Sequence, residues 1–200
     1  MNYLAHLYFA ADSSESRIGN LLGDFCRGVE LQQLSEATAA GLAQHRAIDR
    51  FTDQHPQVRQ ARLLFATNRR RFAGVALDLV FDHYLVKHWS LFSAEPFALY
   101  KTRLYQQLWQ DRPLMPAAMA RTVDYLVPQD WFGSYAELDT IGEALDRIAG
   151  RLRFANTFAG CIADLTEHQP QFEQLFLQFF PQLQAFVQQY QADNAFPLRI

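Results

Sequence analysis

The sequence predicts an all-α protein, folded as a single domain over residues 1–200 with about eight to ten helices. Three observations support this prediction. The length of 200 residues is typical of one domain. Half of the residues are hydrophobic, enough for a core that needs neither disulfides nor a structural metal. Apolar residues recur mostly with the 3.6-residue period of a helix, and only 9 glycines and 8 prolines punctuate the chain.

The first two predicted helices lie within residues 1–28. Residues 1–10 also alternate in the manner of a strand, so a short strand is the alternative, but the helical surroundings favour a helix. The sequence DSSE that follows carries helix-capping residues, with Glu15 three positions after Asp12. This second helix should end near Arg27 and Gly28, because glycine is favoured just past a helix end.

The remaining helices follow with short connections. The third is expected from about Ser35 to His55, and it stops at Pro56, which is well suited to the first turn of the fourth. The fifth, roughly Phe72 to Phe92, is the most apolar. Later helices are predicted at 95–111, 116–127, 134–150, 151–168 and 170–192.

Composition excludes several classes of protein. The formal charge of −3 and the pI near 6.0 argue against general nucleic-acid binding. There is no basic leader before an apolar segment, and no apolar run approaches the roughly 18 residues of a membrane span. Cys26 and Cys161 lie too far apart for a thiolate metal motif. We therefore expect a soluble, cytoplasmic protein that binds neither a membrane nor nucleic acid.

Two of the predicted helices carry ionisable side chains in matching positions. His45 and Asp49 are four residues apart, as are Asp78 and Asp82, so each pair shares one helix face. His83 follows about 100° further round the fifth helix. The first pair is also compatible with an ordinary surface hydrogen bond. Two acids in so apolar a helix repel each other unless a cation or an arginine intervenes.

Further candidate ligands lie on other segments, at Asp24 and His6. A mixed nitrogen and oxygen set of this kind suits Mn²⁺, Mg²⁺, Fe²⁺ or Zn²⁺, and a site rich in carboxylates favours Mn²⁺ or Mg²⁺. Such an ion activates water and polarises a phosphoryl oxygen. Three arginines near these residues could neutralise a phosphate, namely Arg27, Arg46 and Arg50.

Several segments together resemble the acyl carrier protein phosphodiesterase family, a divergent branch of the HD phosphohydrolase superfamily. They are MNYLAHLYFA at 1–10, IGNLLGDFCRG at 18–28, HRAIDRFTD at 45–53, LDLVFDHYLVKHW at 77–89 and QFFPQL at 178–183. The resemblance implies an HD-like helical fold and a Mn²⁺-dependent phosphodiesterase. It also implies that the substrate is holo-acyl carrier protein, which would be hydrolysed to the apo form and free 4′-phosphopantetheine.

Combined with the spacing, the resemblance points to Asp24, His45, Asp78 and Asp82 as metal ligands, with His6 and His83 next and available as proton donors. Asp49 is expected either to orient His45 or to face the phosphate. The superfamily pattern contains His followed by Asp, whereas this sequence has the reverse order at Asp82-His83. Arg27 and Arg46 are the expected phosphate ligands.

Acyl carrier proteins are small and acidic, so a basic surface would speed their association. The candidate docking residues are Arg59, Arg62, Arg69, Arg70 and Arg71, although a run of arginines is also common on ordinary solvated surfaces. Two other interpretations remain. One is an HD-type phosphohydrolase that acts on a nucleotide or alarmone, and the other is a helical binding module without catalytic activity.

Overall fold

The computed structural model describes residues 1–194, and it confirms the all-α prediction. Within that range there are twelve α-helices, of which eight have eight residues or more, and no strand. The helices are α1 (Tyr3–Tyr8), α2 (Ser14–Leu22), α3 (Glu36–Gln54), α4 (Pro56–Leu63), α5 (Ala73–Lys87), α6 (Trp89–Phe92), α7 (Phe97–Asp111), α8 (Ala117–Leu126), α9 (Trp131–Ser134), α10 (Leu138–Arg151), α11 (Ile162–Glu167) and α12 (Gln169–Asp193).

Helices α2 and α3 pack closely against each other. Each begins with a serine cap, since the Ser13 side chain accepts from the Ser16 N–H and the Ser35 side chain accepts from the Thr38 N–H. Gly19 of α2 faces Gly41 of α3, and a Cβ placed on Gly19 would lie 2.8 Å from the Gly41 Cα. The two backbones therefore approach at a distance that only glycine permits.

Helix α5 is the central helix of the fold, and most of its residues are buried. Its Asp82 carboxylate accepts the backbone N–H groups of Leu4 at 3.0 Å and Ala5 at 3.1 Å, and so it fixes the N-terminal turn of α1. The long helix α12 packs against α3, α4 and α5, and it carries Pro181 in its interior. Its buried phenylalanines, including Phe176, supply much of the aromatic core.

Most predicted boundaries agree with the structure, and the opening segment is helical as expected. The predicted helix at 151–168 is wrong. The chain leaves the helical conformation after Arg151 and returns to it only at Ile162. In between, the Asn156 side chain accepts from the Phe158 N–H, and Gly160 adopts a φ of 72°. These local bonds replace the helical pattern that the sequence periodicity suggested.

Two further boundaries differ from the prediction. The second helix ends at Leu22 and continues as a single 3-10 turn at Gly23–Phe25. The predicted fifth helix divides at His88 into α5 and α6. In the part of the chain that the structure describes, no helix combines the length and the apolar character that crossing a membrane requires.

Candidate metal centre

The first and third helices bring three potential metal ligands together. Ligand atoms of His6, His45 and Asp49 all lie within 4.8 Å of one another, and no other such trio of His, Cys, Asp or Glu occurs among residues 1–194. The Asp49 carboxylate lies between the two imidazoles, with Oδ2 3.0 Å from the Nε2 of His45 and Oδ1 3.2 Å from the Nε2 of His6. The two imidazole rings stack with centroids 3.8 Å apart.

The orientation of His45 is set by α2 and by the turn that follows it. Its Nδ1 lies 2.7 Å from the carbonyl oxygen of Asn20, which can only accept, so Nδ1 carries a proton and Nε2 is directed at Asp49. A Cβ on Gly23 would lie 1.9 Å from that Nε2. Glycine at this position is thus what admits the ring. The i,i+4 spacing of His45 and Asp49 places both on one face of α3, as the sequence predicted.

Burial and the Asp49 charge separate the pKa values of the two histidines. Burial lowers the pKa of His6 to about 4, against the opposing effect of Asp49. Burial also acts to lower the pKa of His45, but the hydrogen bond to Asp49 and its charge outweigh burial and raise it. For Asp49, burial acts to raise the pKa, and the two histidines together hold it well below its usual range. The centre thus contains an ionised carboxylate beside a neutral His6.

The trio fits a divalent cation. The His6 side chain is fully buried, its Nδ1 has no polar partner, and its Nε2 approaches Asp49 Oδ1 at 3.2 Å without the geometry of a hydrogen bond. Buried polar nitrogens are rarely left without a partner. A neutral imidazole nitrogen and an ionised carboxylate oxygen are the forms that ligate metals. A cation held by His6, His45 and Asp49 would give the buried His6 ring a partner and would balance the charge of Asp49. It would have two nitrogen ligands and one oxygen ligand.

Asp24 lies at the exposed edge of this centre, in the turn that contains Gly23. Burial of its carboxylate raises its pKa, and the nearby charges of His45 and Asp49 act on it in opposite directions. The Tyr3 ring stacks on Phe25 beside this turn, with centroids 5.8 Å apart. The turn that carries Asp24 therefore lies beside the trio, and the assignment of Asp24 as a metal ligand remains a prediction.

The structure does not bring Asp78 and Asp82 into the trio. Asp78 accepts a hydrogen bond from the amino group of Met1 at 2.8 Å. Asp82 is fully buried and uses both oxygens on the N-terminal turn of α1, and its burial raises its pKa to about 8. Their assignment as metal ligands remains a prediction. Asp49, which was expected to orient His45 or to face the phosphate, lies between the His45 and His6 rings.

The hydrogen bond of His83 is made to Tyr135 and not to a residue of the metal trio. Its Nδ1 lies 2.7 Å from the carbonyl oxygen of Tyr135, and its Nε2 is buried without a hydrogen-bond partner. Burial lowers its pKa. Its expected role as a proton donor remains a prediction, as do the roles of the exposed Arg27 and Arg46 in phosphate binding.

The arginines predicted to bind a partner differ in their surroundings. Arg62 pairs with Asp53, and Arg69 donates to the Thr157 carbonyl and to Asp164. The other three form no ion pair in the range that the structure describes. Of these, Arg59 is exposed, Arg70 donates to two backbone carbonyls, and Arg71 lies over aromatic rings.

Two residues around the centre, Asn20 and Gly23, were given no role by the sequence. Asn20 and Gly23 act through a backbone carbonyl and through the absence of a side chain, and neither leaves a chemical signal in the sequence. Both lie in the segment 18–28 that carries the family resemblance, which is the one signal that marks them.

Comparisons with known proteins point to one family and cover most of the chain. A family model described as acyl carrier protein phosphodiesterase matches residues 1–183. A protein of that name from Serratia proteamaculans is 38% identical over 186 residues, covering 92% of this chain and 95% of the relative. Relatives of the same name from Pectobacterium atrosepticum and Yersinia enterocolitica are 35% identical, covering 95% and 98% of their own lengths. No solved structure matches the chain.

Proposed function

Because the chain belongs to the acyl carrier protein phosphodiesterase family, we propose that it hydrolyses the phosphodiester between 4′-phosphopantetheine and the serine of holo-acyl carrier protein. The products are the apo carrier protein and free 4′-phosphopantetheine. The observation that supports this most strongly is the His6–His45–Asp49 trio, whose two histidines are buried, with the exposed Asp24 at its edge. A binding module without catalytic activity has no need for such a group.

The proposed cofactor is one divalent cation, with Mn²⁺ as the first candidate and Mg²⁺ or Fe²⁺ as the others. The donor set contains imidazole and carboxylate and lacks thiolate, which matches the preferences of these ions. When bound, such an ion supplies Lewis-acid polarisation of a phosphoryl oxygen and lowers the pKa of an attacking water.

The residues of the chain supply orientation and proton transfer. The Asn20 carbonyl holds the His45 ring with its Nε2 toward Asp49, and Asp49 aligns both imidazoles. In the reaction an O–P bond forms between water and phosphorus, and the bond from phosphorus to the serine oxygen breaks. The leaving serine oxygen then takes up a proton. Asp24 is the proposed donor, because its raised pKa keeps more of the carboxyl group protonated near neutral pH, as a general acid requires.

The direct test is mass spectrometry of the carrier protein after incubation with the purified protein and Mn²⁺. Loss of the prosthetic group by metal-assisted hydrolysis lowers the carrier mass by roughly 340 Da. A parallel incubation with guanosine tetraphosphate tests the alternative substrate class. Turnover of the nucleotide with an unchanged carrier mass would reject the proposal.

The role of the trio is tested by Asp49→Asn, with Asp53→Asn as the matched control one turn further along α3. The control residue is exposed and pairs with Arg62. We expect Asp49→Asn to lose bound metal, measured by elemental analysis, and to hydrolyse the substrate at least about 100-fold more slowly. Loss of a residue that only supports a metal ligand already costs up to about 100-fold, and loss of a ligand itself should cost at least as much. Equal metal content in both variants would show that Asp49 is not a ligand.

A further inference from the structure

The segment that follows α10 is fastened to the basic run that precedes α5. Arg69 donates from Nε to the Thr157 carbonyl oxygen at 3.0 Å, and the Thr157 hydroxyl donates to the Asn68 carbonyl oxygen at 2.7 Å. Arg69 also pairs with the largely buried Asp164 at 3.3 Å. Residues 68–72 and 152–158 therefore form one continuous surface, although more than eighty residues separate them in sequence.

The centre of this surface is an arginine held against two aromatic rings. The Arg71 guanidinium carbon lies 4.9 Å from the Phe72 ring centroid and 5.1 Å from that of Phe154, and the two rings are within 15° of parallel. Phe72 is buried, whereas Phe154 is 48% exposed. A guanidinium that lies over a ring keeps its N–H edges free for carboxylates.

Besides Arg70, which donates to backbone carbonyls, two positive charges of this surface have no acidic partner. Neither Arg71 nor Arg153 has a carboxylate within 4.0 Å among the residues that the structure describes, and both are exposed. By contrast, Arg62 and Arg69 pair with Asp53 and Asp164. Arg71, Arg153 and the half-exposed Phe154 thus form an accessible group that combines positive charge with apolar area.

At its other end the same segment approaches Tyr3, which lies one turn before His6 on α1. Burial and, to a smaller extent, the charge of Asp24 raise the pKa of Tyr3 to about 12 against the opposing effect of Arg151, so both charged side chains lie near Tyr3. Tyr3 also stacks on Phe25 in the turn that carries Asp24. From Arg151 to Phe154 is three residues, which span at most about 11 Å even when fully extended. Arg153 and Phe154 therefore lie within about 11 Å of Arg151, the residue of this segment that lies near Tyr3.

We propose that Arg71 together with residues 151–154, here termed the docking surface, binds the acidic carrier protein and presents its modified serine to the metal centre. This inference rests on the proposed function. The scissile bond joins phosphorus to a serine side chain, so the surface of the carrier protein itself must approach to within a side-chain length of the metal centre. Residues 151–154 connect the edge of that centre with an exposed basic and aromatic group, and an acidic protein complements both the charge and the apolar area.

The test compares Arg153→Glu/Phe154→Ala with the matched double variant Arg121→Glu/Tyr125→Ala. The control pair lies four residues apart on α8 and has the same chemistry, an exposed arginine without an acidic partner in the described part of the chain and an exposed aromatic ring, Tyr125 being 59% exposed. Affinity for holo-acyl carrier protein is measured directly, and KM and kcat are measured in parallel with Mn²⁺. Circular dichroism verifies that both variants are folded.

We expect the docking variant to bind the carrier at least about tenfold more weakly, as is typical for loss of a charged and an aromatic contact, while the control binds like the wild type. The effect on hydrolysis should fall on KM for the carrier, with kcat changed little. Added salt should weaken binding of the wild type more than that of the docking variant.

The two proposals fail in different ways. If the docking variant binds the carrier protein as tightly as the wild type does, the docking surface is overturned, whatever the activity. Binding that is weakened only in the docking variant, with no loss of roughly 340 Da from the carrier, supports the docking surface and rejects the hydrolysis. If the wild type does not bind the carrier protein, the docking surface is overturned. The proposed function is then tested only by the change in carrier mass.

Discussion

At the scale of single residues, Asp49 of α3 and Asp82 of α5 have opposite environments. Asp49 faces two imidazoles, which hold its pKa below the usual range and keep it ionised. Asp82 is fully buried, and burial raises its pKa to about 8 although two backbone N–H groups bind it. The first environment suits a metal ligand, and the second suits a residue that fixes the start of a helix.

This contrast gives a prediction for Asp82. Its replacement by alanine leaves the N–H groups of Leu4 and Ala5 buried without acceptors, at a cost of about 1–3 kcal/mol for each unsatisfied group. We expect a large loss of unfolding free energy for Asp82→Ala and a smaller loss for Asp82→Asn, whose amide oxygen still accepts. Urea denaturation measures both.

The metal content of Asp82→Asn separates the two roles of this residue. A structural role predicts that the folded variant binds metal as the wild type does. Normal stability combined with loss of metal would instead support the role as a ligand that the sequence suggested.

At the scale of secondary-structure elements, the approach of α2 to α3 positions the site. This pair carries Asn20, whose carbonyl orients His45, and the turn after α2 provides Gly23 and Asp24. A small change in the distance between the two helices would therefore change the geometry of the metal ligands.

Gly19→Ala tests this dependence. The added Cβ would lie 2.3 Å from the Thr38 carbonyl oxygen, and because that atom belongs to the backbone the helices must move apart. We expect a loss of stability of about 1–3 kcal/mol or more, as in other overpacked sites, together with weaker metal binding.

The control for this variant is Gly150→Ala in α10, where an added Cβ meets no atom within 4 Å. That change should be neutral or should stabilise the protein by about 0.5–1 kcal/mol, because alanine is favoured over glycine within helices. Thermal unfolding compares the two. Equal effects at both positions would contradict the tight contact between α2 and α3.

At the scale of the whole molecule, the ligands of the metal centre come from helices that only the folded chain brings together. A cation that binds the trio therefore binds the native state and raises its stability. At a metal concentration 100 times the dissociation constant, the gain is about 2.7 kcal/mol. For a chain of 200 residues this corresponds to a rise in Tm of roughly 5–10 °C.

The measurement is thermal unfolding with Mn²⁺ and again after removal of the metal with a chelator. The shift should be absent in Asp49→Asn and present in Asp53→Asn. A wild-type Tm that does not change under conditions in which the protein hydrolyses its substrate would speak against a bound cation at the trio.

Properties that depend on local spacing were predictable from the sequence. The helical period and the caps gave α3, α7, α8 and α12 nearly to the residue, and the i,i+4 spacing placed His45 and Asp49 on one face. Even locally, the prediction failed at 151–168, where side-chain hydrogen bonds and a glycine with positive φ override the apolar period.

The tertiary structure alone decided which faces meet. Asp82 and Asp49 lie on helices with equally suggestive spacing, and their distinct roles depend on where α1 packs, with Leu4 and Ala5 against one carboxylate and His6 against the other. Likewise, the contact of Arg71 with Phe154 joins residues 83 positions apart. A helical period specifies the direction of each side chain around its own axis, but it contains no information on which distant element lies there.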